Sequence, residues 1–351
     1  MRHVYFGIYV LMFLVFSCSN EPTSDPLDDF SKEISFNISP SRIIDLEKFD
    51  VFKPEIVYKL DSGYIVKNQT DNNMISRIYT SPQRVIHGIN RGEAPNELVS
   101  PSSFIQKDND IYIYDIAKRC IYRIDFLEED SIFNLAEYKQ LKVKERPFLI
   151  NLVSKGLVAS GIFNKAWIAF IDDSDKIVST LSYPSFKQIG NFTDIEKASL
   201  FLSTLIAIKP NEEKIVCATQ KCGVLSFCDI EEKKIKEYKQ IKYYGPKVGT
   251  PRKEGNTTIA FDRDNKIGFC GVACDDNYVF VLYSGRTFNT YATLSHHCEH
   301  ILIYDWSGKP IKHLILEKPL YTLSYDSKKK VLYGIGYNPE GIILEYNLPD
   351  L

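Results

Sequence analysis

Residues 167–173, Trp-Ile-Ala-Phe-Ile-Asp-Asp, carry the pattern that decides the fold of this chain. Large apolar side chains fill the stretch and two acids end it, which is typical of a buried β-strand that runs into a turn. Similar aliphatic and aromatic runs, most of them ending in Asp or Asn, recur at residues 74–80, 120–126, 224–230, 301–307 and 342–348. Further apolar runs lie before most copies and after several, so each copy belongs to a group of roughly four strands.

Six such groups predict an all-β fold, a six-bladed β-propeller over residues 33–351. A single four-stranded sheet cannot bury both of its faces, whereas blades stacked around an axis bury each sheet against its neighbours. The strand at residues 33–38 is predicted to complete the last blade beside the C-terminal strands and so to close the ring, because an open ring leaves exposed sheet edges. The alternative is a pair of β-sandwiches whose strand spacing resembles that of blades by coincidence.

The N-terminus has the three parts of an export signal. Arg2 precedes a run of apolar residues at 4–16, and the run ends at Ser17-Cys18. These 13 residues are too few to span a bilayer, which takes about 20 apolar residues, but they fit the apolar region of a signal peptide. Its end resembles a bacterial lipobox, so residues 1–17 are predicted to be cleaved and Cys18 to carry the lipid. The alternative is an ordinary secretory signal with an incidental cysteine.

Residues 19–32 are polar, acidic and proline-bearing, and together with Cys18 they are predicted to form a flexible tether, residues 18–32. The first partner is therefore a lipid bilayer, reached through acylated Cys18 with palmitate among its expected acyl groups. The predicted location is the cell envelope, anchored to the outer membrane. Either face of that membrane fits the sequence.

The net charge and the cysteine positions indicate which partners and which thiol states to expect. The chain has 43 Lys and Arg residues against 45 Asp and Glu residues, a formal net charge of −2. Without a strong basic field, nucleic acid is not expected as a partner. The cysteines after Cys18 are irregularly spaced, and several lie within apolar runs. Most are predicted to be buried free thiols that pack as small apolar side chains.

Two segments carry a family resemblance. Residues 87–98, His-Gly-Ile-Asn-Arg-Gly-Glu-Ala-Pro-Asn-Glu-Leu, resemble a signature of the TolB-like six-bladed β-propeller lipoproteins of the Bacteroidota. Residues 282–286, Leu-Tyr-Ser-Gly-Arg, are similar to a second recurring segment of that group. With the lipobox, the resemblance covers essentially the whole chain. It implies a membrane-attached six-bladed propeller and brings no defined biochemical activity with it.

The first candidate site combines Arg91, Glu97 and Arg286. Both arginines follow glycine-containing turns, and a guanidinium presents a planar fork to a carboxylate or phosphate. The two arginines are therefore predicted to meet at the channel or on one rim and to bind an anion or a carbohydrate. The alternative is structural, with each arginine tying neighbouring blades through Glu97 or through backbone carbonyls.

The second candidate site lies in the longest blade, after a polar insertion at residues 287–295. His296, Cys298 and His300 alternate along a predicted strand and would share one side of it. Imidazole and thiolate are zinc and copper ligands, although the spacing matches no established motif. The alternative is a set of solvated loop histidines, and no other cofactor is predicted.

Sequence motifs for nucleophilic, nucleotide-dependent or metalloprotease chemistry are absent. The predicted function is therefore that of a ligand-binding or protein-interaction module in the envelope, with a small molecule, a glycan or a protein as partner. The alternatives are a propeller hydrolase or lyase with a metal or an acid pair in the central channel, and a purely scaffolding role.

Overall fold

The computed structural model describes residues 24–127, 132–249 and 259–351, and every strand in these ranges belongs to one of six sheets. Two short strands come first, β1 (Ser35–Ile38) and β2 (Arg42–Asp45). Blade 1 contains β3 (Pro54–Leu60), β4 (Gly63–Asn68), β5 (Ile75–Thr80) and β6 (Gln83–Gly88). Blade 2 contains β7 (Pro101–Lys107), β8 (Asp110–Asp115), β9 (Cys120–Leu127) and β10 (Ile132–Gln140).

The remaining blades repeat the same order of strands. Blade 3 contains β11 (Arg146–Val153), β12 (Gly156–Phe163), β13 (Ala166–Asp172) and β14 (Ile177–Ser182). Blade 4 contains β15 (Leu205–Ile208), β16 (Lys214–Ala218), β17 (Gly223–Glu231) and β18 (Lys234–Tyr244). Blade 5 contains β19 (Phe269–Cys274), β20 (Tyr278–Tyr283), β21 (Cys298–Asp305) and β22 (Pro310–Leu320). Blade 6 contains β23 (Ser324–Asp326), β24 (Val331–Tyr337) and β25 (Gly341–Asn347).

Helical segments are short. Helix α1 (Asp194–Phe201) lies between blades 3 and 4 and begins with a capping box, in which Thr193 and Glu196 bond each other's backbone amides. Helix α2 (Phe288–Tyr291) lies between β20 and β21. Within the described ranges, no helix has the length and apolar character needed to cross a membrane.

The first strand of each blade lies on the inside of the ring. Contacts join β7 to β11, β11 to β15, β15 to β19, β19 to β23 and β23 to β3. The last gap, between β3 and β7, is bridged by stacked rings of Tyr58 and Phe104, whose centroids are 5.3 Å apart. The six inner strands therefore surround a central channel.

The hydrophobic core is divided among the interfaces between blades. The buried apolar residues of the described chain form six clusters, and each cluster is shared by two neighbouring blades. Trp167 of blade 3 packs in one cluster with Val224 of blade 4, and Val57 of blade 1 packs in another with Ile335 of blade 6. Burial of one such side chain contributes about 1.5–3 kcal/mol, so each interface stabilises the ring. The predicted six-bladed propeller is confirmed.

Two of the acids that end the recurring strands, Asp172 and Asp305, bond turn amides as predicted, whereas Asp125 and Asp229 form ion pairs with Arg123 and Lys214. Asp172 Oδ1 accepts backbone N–H groups of Ser174 and Lys176 at 2.9 and 3.0 Å. Asp305 Oδ1 does the same for Ser307 and Lys309. Each aspartate thereby satisfies the amides of the turn between the third and fourth strands of its blade.

The N-terminal strands differ from the prediction. The sequence predicted that residues 33–38 complete blade 6, and this prediction is wrong. In the structure β1 pairs in parallel with β22 as a fifth strand of blade 5. The outer position of blade 6 is taken by β2, which pairs antiparallel with β25 and sets Ile44 opposite Ile343. Both segments are only 4 residues long, so local sequence alone could not assign their partners.

The predicted tether also ends earlier than residue 32. From Ser24 the chain packs along blades 4 and 5, where Pro26 is buried and Phe30 is 7% exposed. The Phe30 ring meets the Tyr304 ring edge-on at 5.4 Å, and Asp29 accepts a 2.6 Å hydrogen bond from Tyr243. These partners lie more than two hundred residues away in sequence, which is why composition alone suggested a solvated linker. The predicted signal peptide and Cys18 lie outside the described residues.

Candidate functional site

The two faces of the ring each carry a cavity. We call the face at which the inner strands begin the upper face, and the face at which they end the lower face. The upper cavity has a volume of about 1050 Å³ and is lined by residues from all six blades and the loops between them. The lower cavity has a volume of about 490 Å³ and is lined mainly by blades 1, 2 and 6.

One side of the upper cavity is an aromatic wall formed by His296, His297, Tyr321 and Tyr337. Tyr321 is its centre, since its ring meets the His297 ring edge-on at 4.7 Å and the Tyr337 ring edge-on at 5.0 Å. Tyr321 donates a hydrogen bond to the Thr293 carbonyl at 3.2 Å, and Tyr337 donates one to the Pro54 carbonyl at 2.7 Å. The tyrosine rings are therefore fixed in place by the backbone.

The remaining lining of the upper cavity mixes apolar side chains, such as Phe148 and Leu205, with amides and hydroxyls. The amides and hydroxyls belong to Gln69, Ser100, Ser102, Ser203, Gln220, Thr293, Thr322 and Asn338. Glu55 is the only carboxylate among the described lining residues, and Lys67 neutralises it in an ion pair. Such amides and hydroxyls can donate and accept hydrogen bonds without adding charge.

Burial keeps the upper cavity close to neutral. It lowers the pKa of His296, with the charge of Lys221 as a smaller cause, and it lowers the pKa of His297, helped by Arg286. Both imidazoles are therefore neutral near pH 7. Burial also raises the pKa of Tyr337 to about 12, so this phenol keeps its proton.

The lower cavity has a different chemistry. Its lining is dominated by charged and polar side chains, which include Lys59, Asp61, Ser62, Arg77, Asp108, Asn109, Asp326, Lys328 and Lys329. Arg77 is 7% exposed and donates a 2.6 Å hydrogen bond to the Ser62 hydroxyl, while its Nη1 atom has no hydrogen-bond partner among the described residues. Lys59 forms an ion pair with the buried Glu345.

The structure places Arg91 and Glu97 in one turn at the edge of blade 1. Arg91 donates to Asp71 Oδ1 at 2.6 Å and to the Val99 carbonyl at 2.9 Å. Glu97 accepts the backbone N–H of Ala94 at 3.0 Å, and a Cβ on Gly92 would lie only 1.9 Å from its Oε2 atom. The glycine is thus needed for the close approach of the carboxylate.

Arg286 is held elsewhere, in blade 5. Its Nη2 atom lies 2.6 Å from Glu299 Oε1, and its guanidinium lies 4.8 Å from the centre of the Tyr291 ring. Each predicted arginine therefore has a local acidic partner, Asp71 for Arg91 and Glu299 for Arg286. Neither arginine lines the upper or the lower cavity.

The three predicted metal ligands point to different surroundings. His296 ends a 3-10 turn and lines the upper cavity, whereas β21 begins only at Cys298. Cys298 is fully buried, and burial raises its pKa well above the ordinary value. His300 Nδ1 lies 3.0 Å from His313 Nε2, on the outer side of the blade. The three side chains do not share one side because the strand does not extend back to His296 and because its register shifts between Cys298 and His300.

No group of three His, Cys, Asp or Glu side chains suited to a metal occurs within the described ranges. The seven cysteines from Cys120 to Cys298 are free, and only Cys274 is partly exposed. Sequence reasoning found His296 but missed Tyr321 and Tyr337, the centre of the aromatic wall. Tyr321 follows β22 and Tyr337 ends β24, each as a single aromatic residue among many, so only the fold distinguishes them.

Comparison with known proteins agrees with this architecture. The family model for TolB-like 6-blade propeller-like proteins matches residues 49–328. A search of curated proteins finds no significant match. The structure is similar to that of a luciferin-regenerating enzyme, with a TM-score of 0.51 and 8% identity over 88% of this chain and 95% of that chain.

Two further solved structures are similar at lower scores. One is a gluconolactonase from Xanthomonas campestris, with a TM-score of 0.49 and 10% identity over 87% of this chain and 89% of that chain. The other is a protein from Bacteroides fragilis described as exported, with a TM-score of 0.48 and 12% identity over 90% of this chain and 99% of that chain. At these identities the likeness concerns the fold alone. The match to most of its length shows that the chain belongs to the TolB-like 6-blade propeller-like family.

Proposed function

We propose that this protein is a binding module whose upper cavity takes a neutral, hydroxyl-rich ligand with apolar faces, such as a glycan. The aromatic wall is the observation that carries the proposal, because sugar rings present C–H faces that pack on aromatic rings and hydroxyls that suit amides. The same lining supplies Gln69, Gln220 and Asn338 for those hydroxyls. The volume of about 1050 Å³ is at the upper end of the range for small-ligand sites.

Preorganisation supports the same ligand class. The hydroxyls of Tyr321 and Tyr337 are already bonded to backbone carbonyls, so the wall does not have to be ordered when a ligand arrives. The lone carboxylate, Glu55, is paired with Lys67. A hydrolase or lyase using an acid pair would need carboxylates from several blades in one cavity, so this lining favours binding.

The test is a glycan array followed by calorimetry with the oligosaccharides that bind. Tyr321→Ala removes the centre of the wall and is expected to weaken binding about tenfold or more, equal to about 1.4 kcal/mol. Tyr321→Phe keeps the ring and should bind within about threefold of wild type. Tyr138→Ala, at a position 56% exposed on β10, is the matched control. Equal affinities for Tyr321→Ala and the control, with both proteins folded, would refute the site.

We also propose that the chain is an envelope lipoprotein attached to the outer membrane through Cys18. The lipobox-like end of the predicted signal peptide supports this proposal. Labelling with a palmitate analogue in the native host tests it, since Cys18→Ser should abolish the label.

For the ring itself we propose closure through β2, supported by the pairing of Ile44 with Ile343 and by the cluster shared between blades 6 and 1.

A further inference from the structure

The connection between β20 and β21 exposes an uncharged, partly apolar segment. Residues 288–294, Phe-Asn-Thr-Tyr-Ala-Thr-Leu, are all exposed, and we call them the apolar tip. Phe288 and Tyr291 are each 43% exposed and Leu294 is 50% exposed. The tip belongs to the upper face, because Thr293 and Leu294 also line the upper cavity. Three large apolar side chains within seven residues are a surface that water solvates poorly.

A backbone hydrogen bond ties the tip to the preceding loop, and an arginine side chain lies against each of its two aromatic rings. The Asn289 N–H donates to the Arg263 carbonyl at 2.9 Å, which ties α2 to the preceding loop. The Arg263 guanidinium lies 5.0 Å from the Phe288 ring centre, and that of Arg286 lies 4.8 Å from the Tyr291 ring centre. Exposed aromatic rings suit the boundary between lipid headgroups and acyl chains. Arg263 is exposed and adds a positive charge there, whereas Arg286 is paired with Glu299.

The N-terminal segment reaches the ring at the base of this tip. Asp25 Oδ2 lies 2.7 Å from Lys266 Nζ and accepts a 3.0 Å hydrogen bond from the Tyr283 hydroxyl. Lys266 in turn forms an isolated β-bridge with Thr287, the residue just before Phe288. Direct contacts therefore join Asp25, through Lys266, to Thr287, the residue that precedes the tip.

Only seven residue steps separate Cys18 from Asp25. A chain of that length spans at most about 25 Å when fully extended, since each residue adds about 3.3–3.6 Å. A lipid on Cys18 would therefore hold the bilayer surface within about 25 Å of the base of the tip.

We infer that the apolar tip inserts into the surface of the lipid bilayer, so that the upper cavity opens toward the membrane. The inference rests on the proposed lipid anchor for its geometry, while the tip itself supplies the membrane-binding surface. The anchor and the tip would then be two attachments on one side of the molecule, and together they would fix its orientation. A ligand of the upper cavity would be met at the membrane surface.

The experiment uses the full chain carrying Phe288→Trp, mixed with vesicles of phosphatidylethanolamine and phosphatidylglycerol that contain a lipid brominated on its acyl chains. Bromine quenches tryptophan fluorescence only at short range, and the native Trp167 and Trp306 are 1% and 8% exposed. The Phe288→Trp variant is expected to lose emission about twofold, since interfacial insertion brings side chains to the acyl boundary. Tyr138→Trp is the matched exposed control and should keep its emission. Tyr291→Trp is a second reporter if Phe288→Trp misfolds.

Vesicle flotation and the intact mass of the chain separate the two proposals. One outcome is an acylated chain that floats with the vesicles while neither Phe288→Trp nor Tyr291→Trp is quenched more than the Tyr138→Trp control. That outcome would refute the insertion of the tip and would support the lipid anchor. A Phe288→Trp chain that lacks acyl mass and is still quenched refutes the anchor and supports the tip. The double variant Cys18→Ser/Phe288→Trp is expected to be quenched more weakly, at higher lipid concentration. Self-association without quenching would assign the tip to a second copy and overturn the inference.

Discussion

The upper and lower cavities lie at opposite faces of one ring of inner strands, yet their chemistry is different. The upper cavity combines aromatic rings with amides and hydroxyls, whereas the lower cavity is lined by charges such as Asp61, Arg77 and Lys329. The difference follows from the connections. On the lower face, tight turns such as the one at Asp108–Asn109 join strands within a blade, and turns favour short polar residues. On the upper face, longer connections hold α1 and α2 and vary without disturbing the sheets.

The largest expected effect concerns the charges behind the lower cavity. Glu345 is 7% exposed at its side chain, pairs with Lys59 and accepts a 2.7 Å hydrogen bond from Tyr64. Glu345→Ala leaves the Lys59 ammonium without a carboxylate where its side chain is only 14% exposed, so the free energy of unfolding should fall by about 3–5 kcal/mol. Urea denaturation measures the loss.

A double variant, Lys59→Met/Glu345→Leu, provides the control for that experiment. It removes both charges and replaces them with apolar volume, so it should recover most of the lost stability. If Glu345→Ala proves no worse than the double variant, the buried pair does not stabilise the seam between blades 6 and 1.

Mild acid, between pH 7 and about 4.5, should destabilise the protein through the buried histidines of blade 5. The four histidines with lowered pKa values, His296, His297, His300 and His313, all belong to that blade, and none lines the lower cavity. Burial, helped by neighbouring His300, lowers the pKa of His313 to about 4. Between pH 6.5 and about 4 the unfolded chain binds more protons at this residue, so stability falls as pH falls, by about 3 kcal/mol in total.

The measurement for this prediction is urea denaturation of wild type and His313→Gln between pH 7 and about pH 4.5. Glutamine can still bond Ser35, which lies 3.1 Å from His313 Nδ1, but it takes up no proton in this range. The variant should therefore lose less stability on acidification than wild type. Parallel pH profiles for the two proteins would show that His313 does not titrate as its burial implies.

The smallest effect is expected at the rim, where Arg91 pairs with Asp71. The two side chains are 48% and 81% exposed, and exposed ion pairs contribute about 0–1 kcal/mol. Arg91→Ala should therefore shift the unfolding free energy by less than about 1 kcal/mol and leave oligosaccharide binding unchanged. A loss of binding comparable to that of Tyr321→Ala would instead return Arg91 to the ligand site, as the sequence predicted.

Much of the fold was accessible from local pattern, because strand type and turn acids are local properties. Residues 167–173 predicted a buried strand, and β13 with its turn at Asp172 lies there. The partner of an isolated strand is not a local property, so residues 33–38 were placed beside the wrong blade. The site was less accessible still. Tyr321 and Tyr337 resemble the other aromatic residues in sequence, and only the folded ring places Tyr321 between His297 and Tyr337.

Blades 5 and 6 each pair a strand from the N-terminal part of the chain with strands from the C-terminal part, and this affects how the protein folds during synthesis. Strands β1 and β2 are synthesised among the first, yet their partners β22 and β25 are synthesised among the last. Pairing over such a sequence separation is slow, and until it occurs the early strands remain unpaired edges that other chains can join. Only a full-length chain can form the sixth sheet. A truncated product would lack that sheet and keep exposed edges at both ends, which makes it a ready substrate for quality-control proteases.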